Sequence, residues 1–278
     1  MVATGESMKN AKPVVKWAGG KAQLLEQIEE HLPREFGTYY EPFIGGGALF
    51  FHLWNSQRIR EAVISDNNPD LINIYRVIKE KPEELISELK KPKYKNEKEA
   101  YYKIREWEPR KAVLKAARML YLNRTCFNGL YRVNSKGKFN VPFGRYKNPK
   151  FLNEDNIWAV HEALKNTEIR LCDFEEAVKG AKKGDFVYFD PPYHPLSSTA
   201  NFTGYTKNSF NEEDQKRLAE TFRRLAKDGV YVMLSNSYTE FIKGLYTGFN
   251  LKVVHARRAI NSDASGRGQI NEYLILSY

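Results

Sequence analysis

Four consecutive apolar residues, Phe186-Val187-Tyr188-Phe189, run directly into Asp190-Pro191-Pro192-Tyr193. A strand that is apolar on both faces belongs in a sheet covered on both sides, as parallel α/β sheets are. The two prolines end it at once, because neither can donate to a sheet ladder. The chain must therefore place this strand centrally, with a stiff acid-bearing turn at the carboxyl edge, where doubly wound sheets bind ligands. A second segment agrees. Tyr39–Phe43 reads as a short buried strand, Gly45-Gly46-Gly47 as a tight turn, and Ala48 onward as a helix. Ala62–Ser65 is another apolar strand, and it ends at Asp66, 21 residues on from Gly45. Strand, glycine turn, helix, strand, acid is the order of a nucleotide-binding α/β unit. The spacing is not G-x-G-x-x-G, since Phe50 holds the last position, which argues against a nicotinamide dehydrogenase.

The remaining punctuation fits an interrupted α/β fold. After KWAGG at Lys16–Gly20, the spacing of Leu24, Leu25, Ile28 and Leu32 predicts a helix over Lys21–Leu32. Past Asp66 the texture becomes helical, with Leu71, Ile74, Tyr75 and Ile78 on one face and a second helix over Ala112–Asn123. Strands return at Ile169–Cys172, Val230–Leu234, Leu251–Val254 and Tyr273–Leu276, and Asn211 caps a helix carrying Leu218, Phe222 and Leu225. The expected organisation is a catalytic domain formed by residues 1–66 and 167–278, with 67–166 inserted as a mainly helical module. The Gly/Ser-containing segment 261–268 suggests no role.

Charge supplies the first hint of a partner. The 278 residues carry 44 Lys and Arg against 34 Asp and Glu, a net charge of +10, which favours a polyanion. The excess is concentrated. Arg124–Lys150 has no acid, and it interleaves Arg124, Arg132, Lys136, Lys138, Arg145, Lys147 and Lys150 with Phe127, Tyr131, Phe139, Phe143 and Tyr146. No run of about 18 apolar residues is present, so no membrane span is expected. Met1–Lys16 has no signal-peptide core, so a cytoplasmic location is expected. The two cysteines and five histidines make no metal spacing, and no metal is expected.

Three motifs in this order, KWAGGK at Lys16–Lys21, EPFIGGGALFF at Glu41–Phe51 and DPPY at Asp190–Tyr193, resemble the Dam-type DNA adenine-N6 methyltransferases of the alpha group. NGLYRVNSKGKFNVPFGRYK at Asn128–Lys147 resembles that family's target-recognition segment, and the likeness runs from about Lys16 to Tyr278. The resemblance implies a doubly wound, Rossmann-like methyltransferase sheet with an inserted helical target-recognition domain. It implies S-adenosylmethionine as cofactor. Trp17, Ala18, Gly19 and Lys21 would border its methionine end, and Phe43, Gly45 and Asp190 would lie along it. Asp66 would take the ribose hydroxyls, and Asp173 with Phe174 the cofactor adenine. Asp190, Pro191 and Tyr193 would be catalytic.

Double-stranded DNA is the implied substrate and 5′-GATC the implied site. Lys16, Arg124, Phe127, Asn128, Leu130, Arg132, Pro142 and Arg145 match DNA-proximal positions, with Arg132 as guanine reader. Some relatives carry Tyr where this chain has Phe127, which keeps a wedge but removes a hydroxyl. A cognate restriction endonuclease acting separately is a further candidate partner.

The chemistry of the turn can be stated from its residues. The exocyclic amine of adenine is a weak nucleophile because its lone pair is conjugated with the ring. A carboxylate at Asp190 and the carbonyl of Pro191 can accept its two N–H bonds, stabilising positive charge as it develops on nitrogen. Tyr193 offers a face on which a flipped base can stack. The same carboxylate–carbonyl pair suits cytosine N4 or an RNA adenine, and DPPY does not separate these. A catalytically dead DNA binder is the alternative from outside enzymology, which the intact Asp190 and Gly45–Gly47 disfavour.

Overall fold

The computed structural model describes residues 10–195, 210–257 and 269–278. The segment 261–268 and most of the polar stretch after His194 lie outside the described residues. The elements in the first half are α1 (Leu25–Glu29), β1 (Tyr39–Glu41), α2 (Ala48–Asn55), β2 (Ala62–Asp66), α3 (Pro69–Glu80), α4 (Pro82–Leu89), α5 (Lys98–Glu106) and α6 (Ala112–Thr125). They are followed by α7 (Glu154–Leu164), β3 (Thr167–Leu171), α8 (Phe174–Ala177), β4 (Phe186–Phe189), α9 (Glu212–Lys227), β5 (Tyr231–Ser237), α10 (Glu240–Leu245), β6 (Asn250–Arg257) and β7 (Gln269–Leu276).

Among the described residues the strands form a seven-stranded sheet in the order β3-β2-β1-β4-β5-β7-β6. β1 pairs in parallel with β2 and with β4, and β4 in parallel with β5. β7 runs antiparallel to both β5 and β6. This is the mixed, mainly parallel α/β sheet expected from the apolar Phe186–Phe189 run, whose four residues are all buried. The chain order reverses direction across the sheet between β1 and β4, the switch point at which such sheets take ligands.

Two compact units are distinguished, Met1–Gly20, Gly45–Arg60 and Asp66–Leu171 in one, Lys21–Ile44, Glu61–Ser65 and Cys172–Tyr278 in the other. In the second, α9 lays Leu218, Phe222 and Leu225 on Val187, Phe189, Val232 and Leu234 of the sheet. Asn211 starts α9 with a reciprocal capping box to Asp214. In the first, α3 packs with α6 and α7 and α4 with α6, burying Leu71, Ile74, Tyr75 and Ile78 as their spacing requires. Among the described residues no helix is long and apolar enough to cross a membrane.

Three elements differ from the sequence expectation. The helix over Lys21–Leu32 contracts to a 3-10 turn at Lys21–Gln23 and the five residues of α1. No side chain caps it, and its ends close by i→i+3 bonds, Leu24 N to Lys21 O at 2.8 Å and His31 N to Ile28 O at 3.0 Å. β5 extends three residues beyond Leu234, through Ser235, Asn236 and Ser237, all buried. The β6 and β7 pair is also longer than its apolar stretches, because ladder bonds continue under polar side chains to Arg257↔Gln269.

Candidate functional site

The first group of residues gathers where β4 ends. Asp190 leaves the strand with its side chain 18% exposed, and the Lys21 ammonium lies 2.6 Å from its Oδ1. Lys21 is itself buried, with its charge 4.7 Å from the centre of the Tyr193 ring. The Tyr193 hydroxyl donates to Glu272 Oε2 on β7 at 2.7 Å. Burial pushes the Asp190 carboxyl above its ordinary range, Lys21 pulls it back down, and Glu272 adds a smaller upward push. Burial, then Asp190 and the other acid, hold the Tyr193 hydroxyl well above the usual phenol range, so it stays protonated and donates. The arrangement is a fixed carboxylate acceptor beside a tethered aromatic ring.

In the same unit, Phe43 follows β1 and stacks on Phe174, with ring centres 5.6 Å apart and planes at 28°. Phe210 meets Phe43 edge-on at 5.7 Å. Phe174 opens α8, and Asp173 caps that helix by accepting from Glu175 N at 3.0 Å. The other Asp173 oxygen takes Arg217 Nη2 at 3.0 Å. Asp173 remains exposed while Phe174 is buried.

The second group lies in the other unit, at the glycine turn. Gly45 has φ +46°, and a Cβ there would stand 2.8 Å from Trp17 Cδ1, so only glycine allows the backbone this close to the indole. Gly45 N donates to Asp66 Oδ2 at 3.3 Å, and Asn68 N donates to Oδ1 at 2.9 Å. Tyr75 ties the same turn from behind, its hydroxyl donating to Gly45 O at 2.9 Å. Burial raises the Asp66 carboxyl, against these backbone donors. Trp17 also packs on Tyr131, ring centres 5.3 Å apart, and Tyr131 is fixed by its hydroxyl bond to Asp70 at 3.0 Å. Ala18 and Gly19 are exposed beside Trp17.

The third group is the acid-free segment. α6 ends at Thr125, and the chain folds into an irregular hairpin held by Phe127 N to Pro142 O at 2.8 Å, Asn140 N to Arg132 O at 3.0 Å and Asn134 N to Lys138 O at 2.9 Å. Phe127 and Leu130, three residues apart, are 51% and 40% exposed. Asn128, Arg132, Pro142 and Arg145 are exposed as well. Asn128 and Arg145 hold left-handed φ of 55° and 54°, a conformation that ordinary side chains avoid. Arg132 is aimed by Asn140, whose Oδ1 accepts from Nε at 2.7 Å and whose backbone O accepts from Nη2 at 3.2 Å.

Lys16 belongs with this hairpin. Its backbone is gripped on both sides by buried Asn123, which accepts from Lys16 N at 2.7 Å and donates to Lys16 O at 2.9 Å. Asn123 Nδ2 also reaches Gly129 O at 3.1 Å. The Lys16 ammonium lies 4.6 Å over the Tyr146 ring, in a cleft lined further by Arg124, Lys147 and Lys150. Arg124 is half-buried, and its Nε and Nη2 donate to Val14 O and Pro13 O at 2.8 and 2.9 Å. These bonds tie down the segment leading into Lys16, a structural use for Arg124 that a basic residue in a basic run does not announce.

The DPPY turn, the glycine turn and the acid-free basic segment are legible in the sequence; the hairpin form of that segment is not. Sequence reasoning missed Glu272, Gln215 and Asn236, which contact the turn from elements distant in the chain. Gln215 and Asn236 are buried and Glu272 is partly buried, which becomes legible only after folding. No group of His, Cys, Asp and Glu among the described residues could hold a metal ion.

Comparison with known proteins bears on these sites. A family model described as D12 class N6 adenine-specific DNA methyltransferase matches residues 17–260. The chain is 47% identical over 277 residues to a Type II methyltransferase of Lactococcus lactis subsp. cremoris, covering 97% of this chain and 96% of that protein. It is 47% identical over 286 residues to the Type II methyltransferase M.MjaIII of Methanocaldococcus jannaschii, covering 96% and 99%. It is 40% identical over 275 residues to a DNA adenine methylase of Vibrio cholerae, covering 97% of each.

Proposed function

Because the chain belongs to the D12 class of N6 adenine-specific DNA methyltransferases, we propose that it takes its methyl group from S-adenosylmethionine and modifies adenine in duplex 5′-GATC, flipping the base out to reach it. The observation that carries this reading is the Asp190 turn at the carboxyl end of β4, with its acid paired to Lys21 and its aromatic ring tethered to Glu272. S-adenosylmethionine, when bound, supplies an electrophilic methyl on a sulfonium.

The donor set fits that cofactor. Asp66 accepts from backbone N–H groups on both oxygens and, as an acceptor with further lone pairs, suits the hydroxyls of a ribose. The Gly45 turn, where a Cβ would strike Trp17, fits close approach of a ligand to backbone. Phe43, Phe174 and the exposed acid of Asp173 suit an aminopurine, a flat ring bearing an amine. Trp17, Ala18, Gly19, Lys21 and Asp190 are assigned to the remainder by the motif match.

The residues at the turn then divide the work. The Lys21 ammonium pairs with Asp190 and opposes the upward push that burial gives its carboxyl, which favours the anion. The Asp190 carboxylate and the Pro191 carbonyl accept the N–H bonds of the amine, so that its lone pair turns away from the ring and toward the methyl. Charge developing on nitrogen is met by an acceptor already in place, and much of the remaining rate comes from positioning. Tyr193 stacks on the extruded base, its hydroxyl held by Glu272. The proton leaves to water once nitrogen has attacked.

Residues 67–166 are proposed as the target-recognition module. Phe127 and Leu130, both exposed, would fill the gap left by the base, with Asn128 beside them. Arg132, already aimed by Asn140, would present its free N–H fork to guanine O6 and N7. Lys16, Pro142 and Arg145 would lie along the DNA, and Arg124 would act by holding the segment before Lys16. The Type II names of two relatives point to a restriction endonuclease acting separately as partner.

The test is unmethylated genomic DNA treated with protein and S-adenosylmethionine, then sequenced for modified bases, with Asp190→Ala beside it. N6-methyladenine confined to GATC, absent in the variant while the variant still binds cofactor, is the expected result. Modification at another motif refutes the GATC assignment, and near-normal turnover by Asp190→Ala refutes the role of Asp190.

A further inference from the structure

Pro191 and Pro192 carry no N–H, so the turn between Asp190 and Tyr193 cannot be tied down through donors at either position. It can only be held by its carbonyls or from the residues after it. The structure does both with two buried amides. Gln215 on α9 donates from Nε2 to Pro192 O at 2.9 Å. Its Oε1 accepts from Asn236 Nδ2 on β5 at 2.9 Å. Asn236 Oδ1 in turn accepts from His194 N at 3.2 Å and Ser237 N at 2.8 Å. The two side chains are 1% and 0% exposed.

The polarity of this chain is forced. Pro192 O can only accept and His194 N can only donate, so each amide has one permitted orientation between them. The two ends grip the backbone on either side of Tyr193. A buried amide pair costs free energy when a partner is lost, so the turn resists displacement in either direction.

We infer that Gln215 and Asn236 are positioning residues that fix the direction of the Pro191 and Pro192 carbonyls and thereby set the rate of methyl transfer, without touching the base or the cofactor. This rests on the assignment of Asp190 and Pro191 as the acceptors of the adenine amine. Gln215→Glu is the sharpest probe, because it keeps an acceptor for Asn236 and sets a carboxylate oxygen against Pro192 O. A shift of the acceptors by about 1 Å costs on the order of a hundredfold in rate.

The experiment measures single-turnover transfer to adenine, the cofactor Kd, the DNA KM and the melting temperature of the full chain. Gln215→Glu is expected to slow transfer roughly 30- to 100-fold while cofactor Kd and DNA KM stay within about twofold. Gln215→Met, which removes the donor without adding charge, and Asn236→Ala are read in the same way and serve if the first variant does not fold. Transfer within about threefold of wild type in the folded variants overturns the inference. A rate deficit that vanishes on cooling well below the melting temperature overturns it too, since that is the mark of a merely structural pair. Wild-type protein that leaves DNA adenine unmethylated refutes the underlying reading of Asp190 instead, so the two failures are distinct.

Discussion

Lys21→Met removes the cation beside Asp190 and leaves a mostly buried carboxylate, 18% exposed, without its partner. Two unit charges about 3 Å apart attract by roughly 5 kcal/mol at an effective dielectric of about 20. Desolvation of both groups takes back much of that, yet losing one partner of a buried pair still costs about 3–5 kcal/mol. Protonation of Asp190 limits the damage. From an ordinary carboxyl pKa of 3.8, neutralising the acid at about pH 8 costs at most about 6 kcal/mol, and less because burial has already raised it. The expected loss of stability near pH 8 is therefore about 3 kcal/mol.

The pH dependence follows from the direction of the shift. A carboxyl raised in the folded state favours the protonated form, so its contribution is greatest below the unfolded pKa and is lost as pH rises through the folded one. Removing Lys21 raises the folded value further. The variant's deficit should be full at about pH 8 and should shrink at about pH 4.5, where Asp190 takes up its proton. Urea unfolding of both proteins at the two pH values measures this, with unchanged m-values as the control. The acid limb of the transfer rate should move upward in the same variant, because only the anion accepts both charge and N–H. A deficit of equal size at the two pH values, or an unmoved acid limb, refutes the claim that Lys21 acts by holding the Asp190 charge.

Two further outcomes concern the basic hairpin. Arg132→Ala should spread methylation to secondary sites, losing about 1–3 kcal/mol of discrimination at one base pair, while cofactor Kd is unchanged; sequencing of modified bases reads this, and an unaltered preference removes Arg132 from recognition. Gly129→Ala places a Cβ 2.6 Å from Lys16 Cβ at a φ of +64°. It should cost about 1–3 kcal/mol in urea unfolding and weaken DNA binding through the displaced lysine, and fluorescence anisotropy on duplex DNA checks the second effect.

Much of the sheet was legible because strands buried on both faces read as apolar runs. Phe186–Phe189 is the clearest case, and its observed bounds match the run. The Lys21–Leu32 helix was misjudged because apolar spacing says which residues face inward, not how many turns close. The polar end of β5 was invisible since the apolar run stops at Leu234, although pairing with β7 continues through Ser237 and all three residues are buried.

Local chemistry written in the sequence determined the stiff acid turn, the glycine turn and the concentration of positive charge over Arg124–Lys150. Each depends on adjacent residues: two rings that block N–H groups, missing Cβ atoms, an unbroken absence of acids. Tertiary structure alone decided that Lys21 would neutralise Asp190, that Glu272 would anchor Tyr193, that Asn123 would grip Lys16, and that Gln215 and Asn236 would hold the prolines. Those partners are far apart in the chain and share no period. A polar side chain acquires such a role only when folding removes water and leaves one neighbour to take its place.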